Sequence, residues 1–175
     1  HKYVKIKDIN KFRLEVYNKI NKNNKFKHHY YNVAKEYLDI LVGNELAIQS
    51  RINLSIQIPN DYSSLLPLHA DTWSGVSPYE IVVWLPLVDC YKTKSMYFYD
   101  SKKLNLLKKI FKGKDLSPQK IFNKIKNKVK WLNVNYGQVL IFDQSIPHGN
   151  IINKEKETRW SMNCRFKGIF TPYAD

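Results

Sequence analysis

His69 and Asp71 stand one residue apart in Leu68-His69-Ala70-Asp71-Thr72-Trp73, and His148 follows much later in Ile146-Pro147-His148-Gly149-Asn150. Two imidazoles and one carboxylate bind one face of an octahedral metal, a set that suits Fe(II) and leaves three positions open for reactants. The plainer alternative is a set of satisfied core or surface side chains. His28 and His29 are neighbours on a predicted helix, where adjacent side chains diverge, so they are read as surface residues. Beyond His148, the run Arg159-Trp160-Ser161-Met162-Asn163-Cys164-Arg165 alternates polar with apolar residues. Arg159, Ser161, Asn163 and Arg165 therefore share one face of a strand. Guanidiniums there need an anion or water. Arg159, with Ser161 beside it, suits a bidentate, charge-assisted contact with a ligand carboxylate; an outward-facing arginine on an amphipathic strand is the alternative. Arg165 is either a second anion contact or the carboxylate-binding arginine in place of Arg159.

These side chains need a scaffold, and the hydropathy pattern predicts one. From Arg51 to Pro59 the period is two, with Ile52, Leu54, Ile56 and Ile58 opposite Arg51, Asn53, Ser55 and Gln57. The polar face either meets water or lines a hydrophilic cavity. In the second case Asn53 and Gln57 are candidates to hydrogen-bond a cosubstrate or substrate. Glu80 to Val88 is apolar on both faces and so predicts a central strand, followed by a shorter one over Ser95 to Tyr99. Further short strands are expected at Val129 to Val134, Gln138 to Phe142, Ile146 to Ile152 and Thr158 to Phe170. Helices are expected from Asp8, as N-cap, to about Asn21, and from about His29 to Leu41 with Gly43 closing the end. Two more, Ser101 to Phe111 and Ser117 to about Lys128, read as an insertion between strands. Short strands without a βα rhythm predict a sandwich or jelly roll, a mainly β fold with flanking helices. A single domain is expected over 1–175: N-terminal helices over 1–47, then a barrel over 48–175 with the helical insertion at about 101–128. Trp73, Trp84 and Tyr97 would either wall a pocket or fill the core. Asn150 is a candidate to orient His148, and the loop Thr72 to Pro78 is the first place to expect substrate contacts.

Composition narrows the function classes. A chain of 175 residues with 43% hydrophobic and 14% aromatic content can bury a core, which excludes disordered and fibrous classes. The net charge of +14 points in principle to phosphate-rich partners. The excess is mostly Lys amid abundant Asn and Ile, and no Arg-rich cluster or base-stacking signature accompanies it, which argues against a nucleic-acid reader. No apolar run is long enough to span a bilayer, and nothing near the start resembles a signal peptide. Two cysteines, Cys90 and Cys164, make no disulfide framework, so a reducing cytoplasm is the simplest home. A small-molecule partner is expected, and no pattern specifies an oligomeric state.

Taken in order, His69-x-Asp71, His148 and Arg159-x-Ser161 resemble the motif of the Fe(II)- and 2-oxoglutarate-dependent oxygenases, over most of the chain from about Arg51 to Tyr173. Leu54 to Gln57, His69 to Trp73, Glu80 to Leu87, Ser95-Met96 and Arg159 to Asn163 are similar to a bacterial branch found in carbohydrate and streptomycin-type biosynthesis clusters, itself distantly like phytanoyl-CoA dioxygenases. The resemblance implies a double-stranded β-helix of cupin type. It implies Fe(II) on His69, Asp71 and His148, with the far carboxylate of 2-oxoglutarate on Arg159 and Ser161. It further implies that dioxygen converts 2-oxoglutarate to succinate and CO2 while a small polar metabolite, such as a sugar or aminocyclitol derivative, is hydroxylated or otherwise oxidised. The rival readings are an amino-acid, peptide or acyl hydroxylase on the same iron, and a non-enzymatic cupin-like binding protein.

Overall fold

Strand β8 (Arg159–Gly168) is the axis of the larger of two antiparallel sheets in the computed structural model, which describes residues 3–112 and 117–173. Along one edge β8 pairs with β1 (Leu46–Ile48) and β2 (Asn53–Gln57), and along the other with β3 (Ile81–Pro86), which in turn pairs with β6 (Leu140–Asp143). The smaller sheet runs β5 (Val129–Trp131), β4 (Tyr97–Tyr99), β7 (His148–Gly149). The sheets face each other through Val82, Trp84 and Phe142 on one side and Met96, Leu132 and Val134 on the other. Phe98 and Phe142 meet across this interface with ring centroids 5.1 Å apart.

Period two gives each face of the larger sheet one job. Met162, Cys164 and Phe166 of β8, with Val83 of β3, face outward onto Tyr30, Ala34 and Leu38 from the helical layer of α2 (Asn24–Asn32) and α3 (Lys35–Leu41). The Tyr30 hydroxyl donates to the Val83 carbonyl at 2.8 Å, so this buried phenol is satisfied. Helix α1 (Ile9–Lys22) covers the rest of that face, where Phe12 packs edge-on against Trp160 at 5.9 Å. The opposite residues pair across the strands as Asn53 with Asn163, Ser55 with Ser161 and Gln57 with Arg159. This polar face turns toward the smaller sheet and a cavity between the two, not to bulk water. Leu38 is fully buried in the outer layer, so Leu38→Ala is expected to cost about 2–5 kcal/mol, read as a shifted denaturant midpoint at unchanged m-value.

Helices α4 (Leu104–Phe111) and α5 (Pro118–Ile125) lie between β4 and β5 in the chain and cap the outside of the smaller sheet. Their Leu107, Ile110, Ile121 and Ile125 bury against Tyr97 and Tyr99. Tyr97, held between Phe122 and Trp131, is therefore core.

Local chemistry explains the departures from expectation. The helix expected from about His29 to Leu41 is two helices, broken at Val33-Ala34 beside Asn32; asparagine and valine are both weak helix formers. Asn23 starts α2 earlier than expected by accepting the Lys25 amide. Asp8 occupies the N-cap position of α1 but makes no capping bond, because a 3-10 turn precedes it and its backbone is already helical. Gly43, at φ +89°, takes the left-handed conformation that closes α3. The late strands are shorter than their apolar runs. No described helix is long and apolar enough to cross a membrane.

Candidate metal centre

The backbone brings the candidate ligands together before any metal is considered. His69 and His148 form an isolated antiparallel bridge, His69 N–H donating to the His148 carbonyl at 2.9 Å and His148 N–H to the His69 carbonyl at 2.7 Å. The rings consequently lie 4.3 Å apart, centroid to centroid. Asp71 is set by its amide, which donates to the Gln144 carbonyl at 3.1 Å, and its Oδ1 lies 3.7 Å from His69 Nε2. One ligand atom from each of His69, Asp71 and His148 falls within 4.8 Å of the other two. Only glycine fits after His148: a Cβ at Gly149 would sit 2.7 Å from the Tyr97 hydroxyl and 3.0 Å from the Leu66 carbonyl.

The tautomers suit a metal. His69 Nδ1 lies 2.8 Å from the Pro67 carbonyl and His148 Nδ1 lies 2.9 Å from the Ile146 carbonyl. A carbonyl only accepts, so each Nδ1 carries the proton and each Nε2 presents a lone pair. Burial, reinforced by the neighbouring His69, pushes His148 below its ordinary value and keeps its ring neutral. By donor chemistry and by these bonds, the three side chains fit a divalent transition metal.

Arg165 is committed to this centre. Its Nη2 pairs with Asp71 Oδ2 at 3.0 Å, and its Nε donates to Gln144 Oε1 at 2.9 Å. Gln144 in turn donates from Nε2 to Glu80 Oε2 at 2.6 Å. Gln144 thus holds Asp71 twice, by its own carbonyl and through Arg165, and Asp71 Oδ1 is left for a metal. Arg165→Met is expected to weaken cobalt binding about 10- to 100-fold in a spectroscopic titration, the range typical of groups that orient a ligand.

Arg159 is at another part of the same cavity, which encloses about 660 Å³ and is also lined by Asn53, Ser55, Ser161 and Asn163. Its side chain is buried, with Nη2 donating to Ser55 Oγ at 3.0 Å and Nη1 to the Ser95 carbonyl at 3.2 Å. Burial pushes its guanidinium down to about 10, which leaves it charged at neutral pH. No carboxylate among the described residues pairs with it, and its Nε, Ser95 Oγ and the neighbouring Gln57 Oε1 have no hydrogen-bond partner. Gln57 stands behind the cavity and donates to the Ile151 carbonyl at 2.8 Å, whereas Asn53 lines it and donates to Asn163 Oδ1 at 2.9 Å.

Three expectations about the surroundings change. Asn150 does not orient His148: its side chain accepts from Leu66 N at 2.7 Å and donates to the Ser64 carbonyl at 3.3 Å, bracing the loop that leads into His69. Trp84 lines the cavity, but Trp73 packs on Phe111 at 5.5 Å beside a separate apolar groove. No residue of Thr72 to Pro78 lines the cavity; residues 63–66 do.

The sequence pattern does not single out Arg13 on α1. It donates to the Ile56 carbonyl, Asn10 Oδ1, Ser63 Oγ and the buried carboxylate of Asp61, tying α1 to the 61–66 loop. The detectable signal was Asp61-Tyr62-Ser63-Ser64, an Asx turn in which Asp61 Oδ1 accepts the Ser63 amide at 2.8 Å. Burial alone would raise the Asp61 carboxyl, but the bonds from Ser63 and Arg13 outweigh it and hold it below its ordinary value. A depressed carboxylate stabilises the fold above its unfolded value, near about pH 4, and loses that contribution as pH falls through the lower folded one. The stability gap between wild type and Asp61→Asn should therefore shrink between about pH 6 and about pH 3 in chemical denaturation.

No protein-family model matches the sequence, and no curated protein matches it. Solved structures do match. The non-heme monooxygenase ThoJ, as its nickel complex, is 19% identical with a TM-score of 0.56, over 79% of this chain and 51% of that one. HygX from Streptomyces hygroscopicus with nickel and 2-oxoglutarate bound is 12% identical with a TM-score of 0.65, over 88% of this chain and 69% of that one. HygX with nickel, 2-oxoglutarate and hygromycin B bound is 10% identical with a TM-score of 0.54, over 91% and 67%. The chain spans about half the length of ThoJ. At these identities the likeness shows the fold, and with the two facing antiparallel sheets it makes this the jelly roll, or double-stranded β-helix, expected from the sequence.

Proposed function

We propose that this chain is an Fe(II)- and 2-oxoglutarate-dependent oxygenase, an oxidoreductase of the dioxygenase type, acting on a small polar metabolite. The observation that carries the reading is Arg159: a buried, charged guanidinium without a carboxylate partner among the described residues, in the same cavity as His69, Asp71 and His148. A cation so placed calls for an anionic ligand. The dicarboxylate 2-oxoglutarate answers both needs, one end on the metal and the other on Arg159. Nickel with 2-oxoglutarate in HygX, a protein of the same fold, supports it.

In this reading His69, His148 and Asp71 would hold the metal, while Arg165 and Gln144 fix the Asp71 carboxylate. When bound, Fe(II) supplies dioxygen activation coupled to oxidative decarboxylation of 2-oxoglutarate to succinate and CO2. Arg159 and Ser161 bind and orient the far carboxylate, with Ser55 and Gln57 steadying that end. Val82, Trp84, Met96 and Phe142 supply apolar walls that keep water from the reacting atoms. The polar remainder of the cavity suits a hydroxyl-rich small molecule such as a sugar derivative, and the binding of hygromycin B beside 2-oxoglutarate in HygX supports a metabolite ligand.

Anaerobic addition of Fe(II) and 2-oxoglutarate should give a weak visible charge-transfer band, and admission of oxygen should release succinate. A protein that gives neither, yet binds small molecules in the cavity, is a cupin-like binding protein and not an oxygenase.

A further inference from the structure

Beyond the metal ligands and Arg159, the cavity runs along α1. Asn10, Arg13 and Tyr17 form one side, Ser63 and Ser64 the other, and the amide pair Asn53–Asn163 lies on the floor. That pair uses one donor and one acceptor of the two side chains, leaving Asn53 Oδ1 and the Asn163 amino group for a ligand. Ser63 and Ser64 are presented by the Asx turn on Asp61, and Asn150 pins the same loop to the strand that carries His148. Leu14, 61% exposed, interrupts the polar wall with apolar surface. Amides and hydroxyls both donate and accept, and so match hydroxyl groups; the leucine matches the C–H face of a ring.

The charges around this wall are already paired, Arg13 with Asp61 and Arg165 with Asp71. Arg13, Arg159 and Arg165 line the cavity, and Asp71 is its lone lining carboxylate among the described residues. Asp71 has no oxygen to spare, since Oδ2 is on Arg165 and Oδ1 faces the metal position. Asp61, behind the wall, has both oxygens occupied by Arg13, Ser63 and Ser64. An ammonium brought into this space would lose water and find no free carboxylate oxygen to replace what it lost.

We propose that the wall formed by α1, residues 63–66 and the Asn53–Asn163 floor is the substrate subsite, and that it selects an uncharged polyhydroxylated ligand and rejects aminated, cationic ones. This rests on the oxygenase reading and narrows it, away from aminocyclitols and toward neutral sugars.

The test is calorimetric titration of nickel- and 2-oxoglutarate-loaded protein with matched neutral and aminated mono- and disaccharides, in wild type and Asn163→Asp. Asn163→Asp is nearly isosteric and keeps the acceptor for Asn53, while adding the missing negative charge. Neutral members should bind, and their aminated counterparts at least about tenfold more weakly, the scale of one unpaired charge-assisted contact. Asn163→Asp should erase most of that tenfold difference. If the variant does not fold, Asn10→Asp on the exposed side of α1 reads the same ratio. Aminated members binding as tightly as neutral ones, no member binding, or a ratio unmoved in a folded variant each overturns the subsite. Absence of the Fe(II)–2-oxoglutarate band in the same preparation overturns the oxygenase reading instead. The ligand ranking, which needs no turnover, is then read on the unloaded protein.

Discussion

Replacing His69 with alanine is expected to abolish stoichiometric metal binding and succinate release while leaving the protein folded. The ring is partly exposed, and its neighbours are His148 and the Pro67 carbonyl. The bridge to His148 is made by backbone atoms, so it survives loss of the ring. A surface substitution of this kind costs at most about 1 kcal/mol of stability. Metal affinity should drop by more than the roughly 100-fold seen when a merely orienting group is lost, because one of three direct donors is gone. His69 is a cleaner probe than its partners. His148 is wedged against Phe142 at 5.2 Å, so removing it also opens the core, and removing Asp71 strands the Arg165 guanidinium. Cobalt titration with a thermal melt on the same sample decides the matter. Wild-type cobalt affinity and wild-type succinate yield in His69→Ala would sink the assigned centre.

Arg159→Met should move stability and cosubstrate affinity in opposite directions, or move affinity alone. Without ligand, the buried cation lacks an anionic partner among the described residues, and exchanging such a charge for an apolar side chain of similar length is commonly neutral or stabilising. The Ser95 carbonyl and Ser55 hydroxyl lose a donor, which offsets part of the gain at about 1 kcal/mol each. The unliganded melting temperature should therefore stay within a few degrees of wild type, or rise. Loss of one partner of a buried charge pair costs about 2–5 kcal/mol, so 2-oxoglutarate binding should weaken by a factor between about 30 and about 5000. A structural arginine would show the reverse: a large fall in melting temperature at unchanged affinity.

Much of the site was legible because its signals are local. Alternation places Arg159, Ser161, Asn163 and Arg165 on one face of β8, and the order His69-x-Asp71, His148, Arg159-x-Ser161, with the family resemblance it carries, marks the three candidate ligands. The period could not say whether the polar face of β2 met water or a cavity; that depends on the second sheet, which arrives from a distant part of the chain. Nor could it say where Arg165 points. Its pairing with Asp71 needs Gln144, whose side chain lies in a turn that read simply as a break between strands. Arg13 was invisible for the same reason, since Asp61 and Ile56 reach it across more than forty residues of sequence. Asn150 and Trp73 show the converse failure. Each stands beside a ligand in the chain, yet turns its side chain to a different neighbour.

The strict alternation of β8 also guards assembly. Sliding that strand by one residue against β2 would thrust Arg159, Ser161, Asn163 and Arg165 into the layer now filled by Tyr30, Ala34 and Leu38, and would strand Met162, Cys164 and Phe166 in the polar cavity. Two guanidiniums in an oily layer are among the costliest errors a chain can make. Misregistered intermediates should therefore be short-lived, and molecules that complete folding should carry a correctly set binding face. Fidelity of folding and fidelity of the pocket are here enforced by the same ten residues.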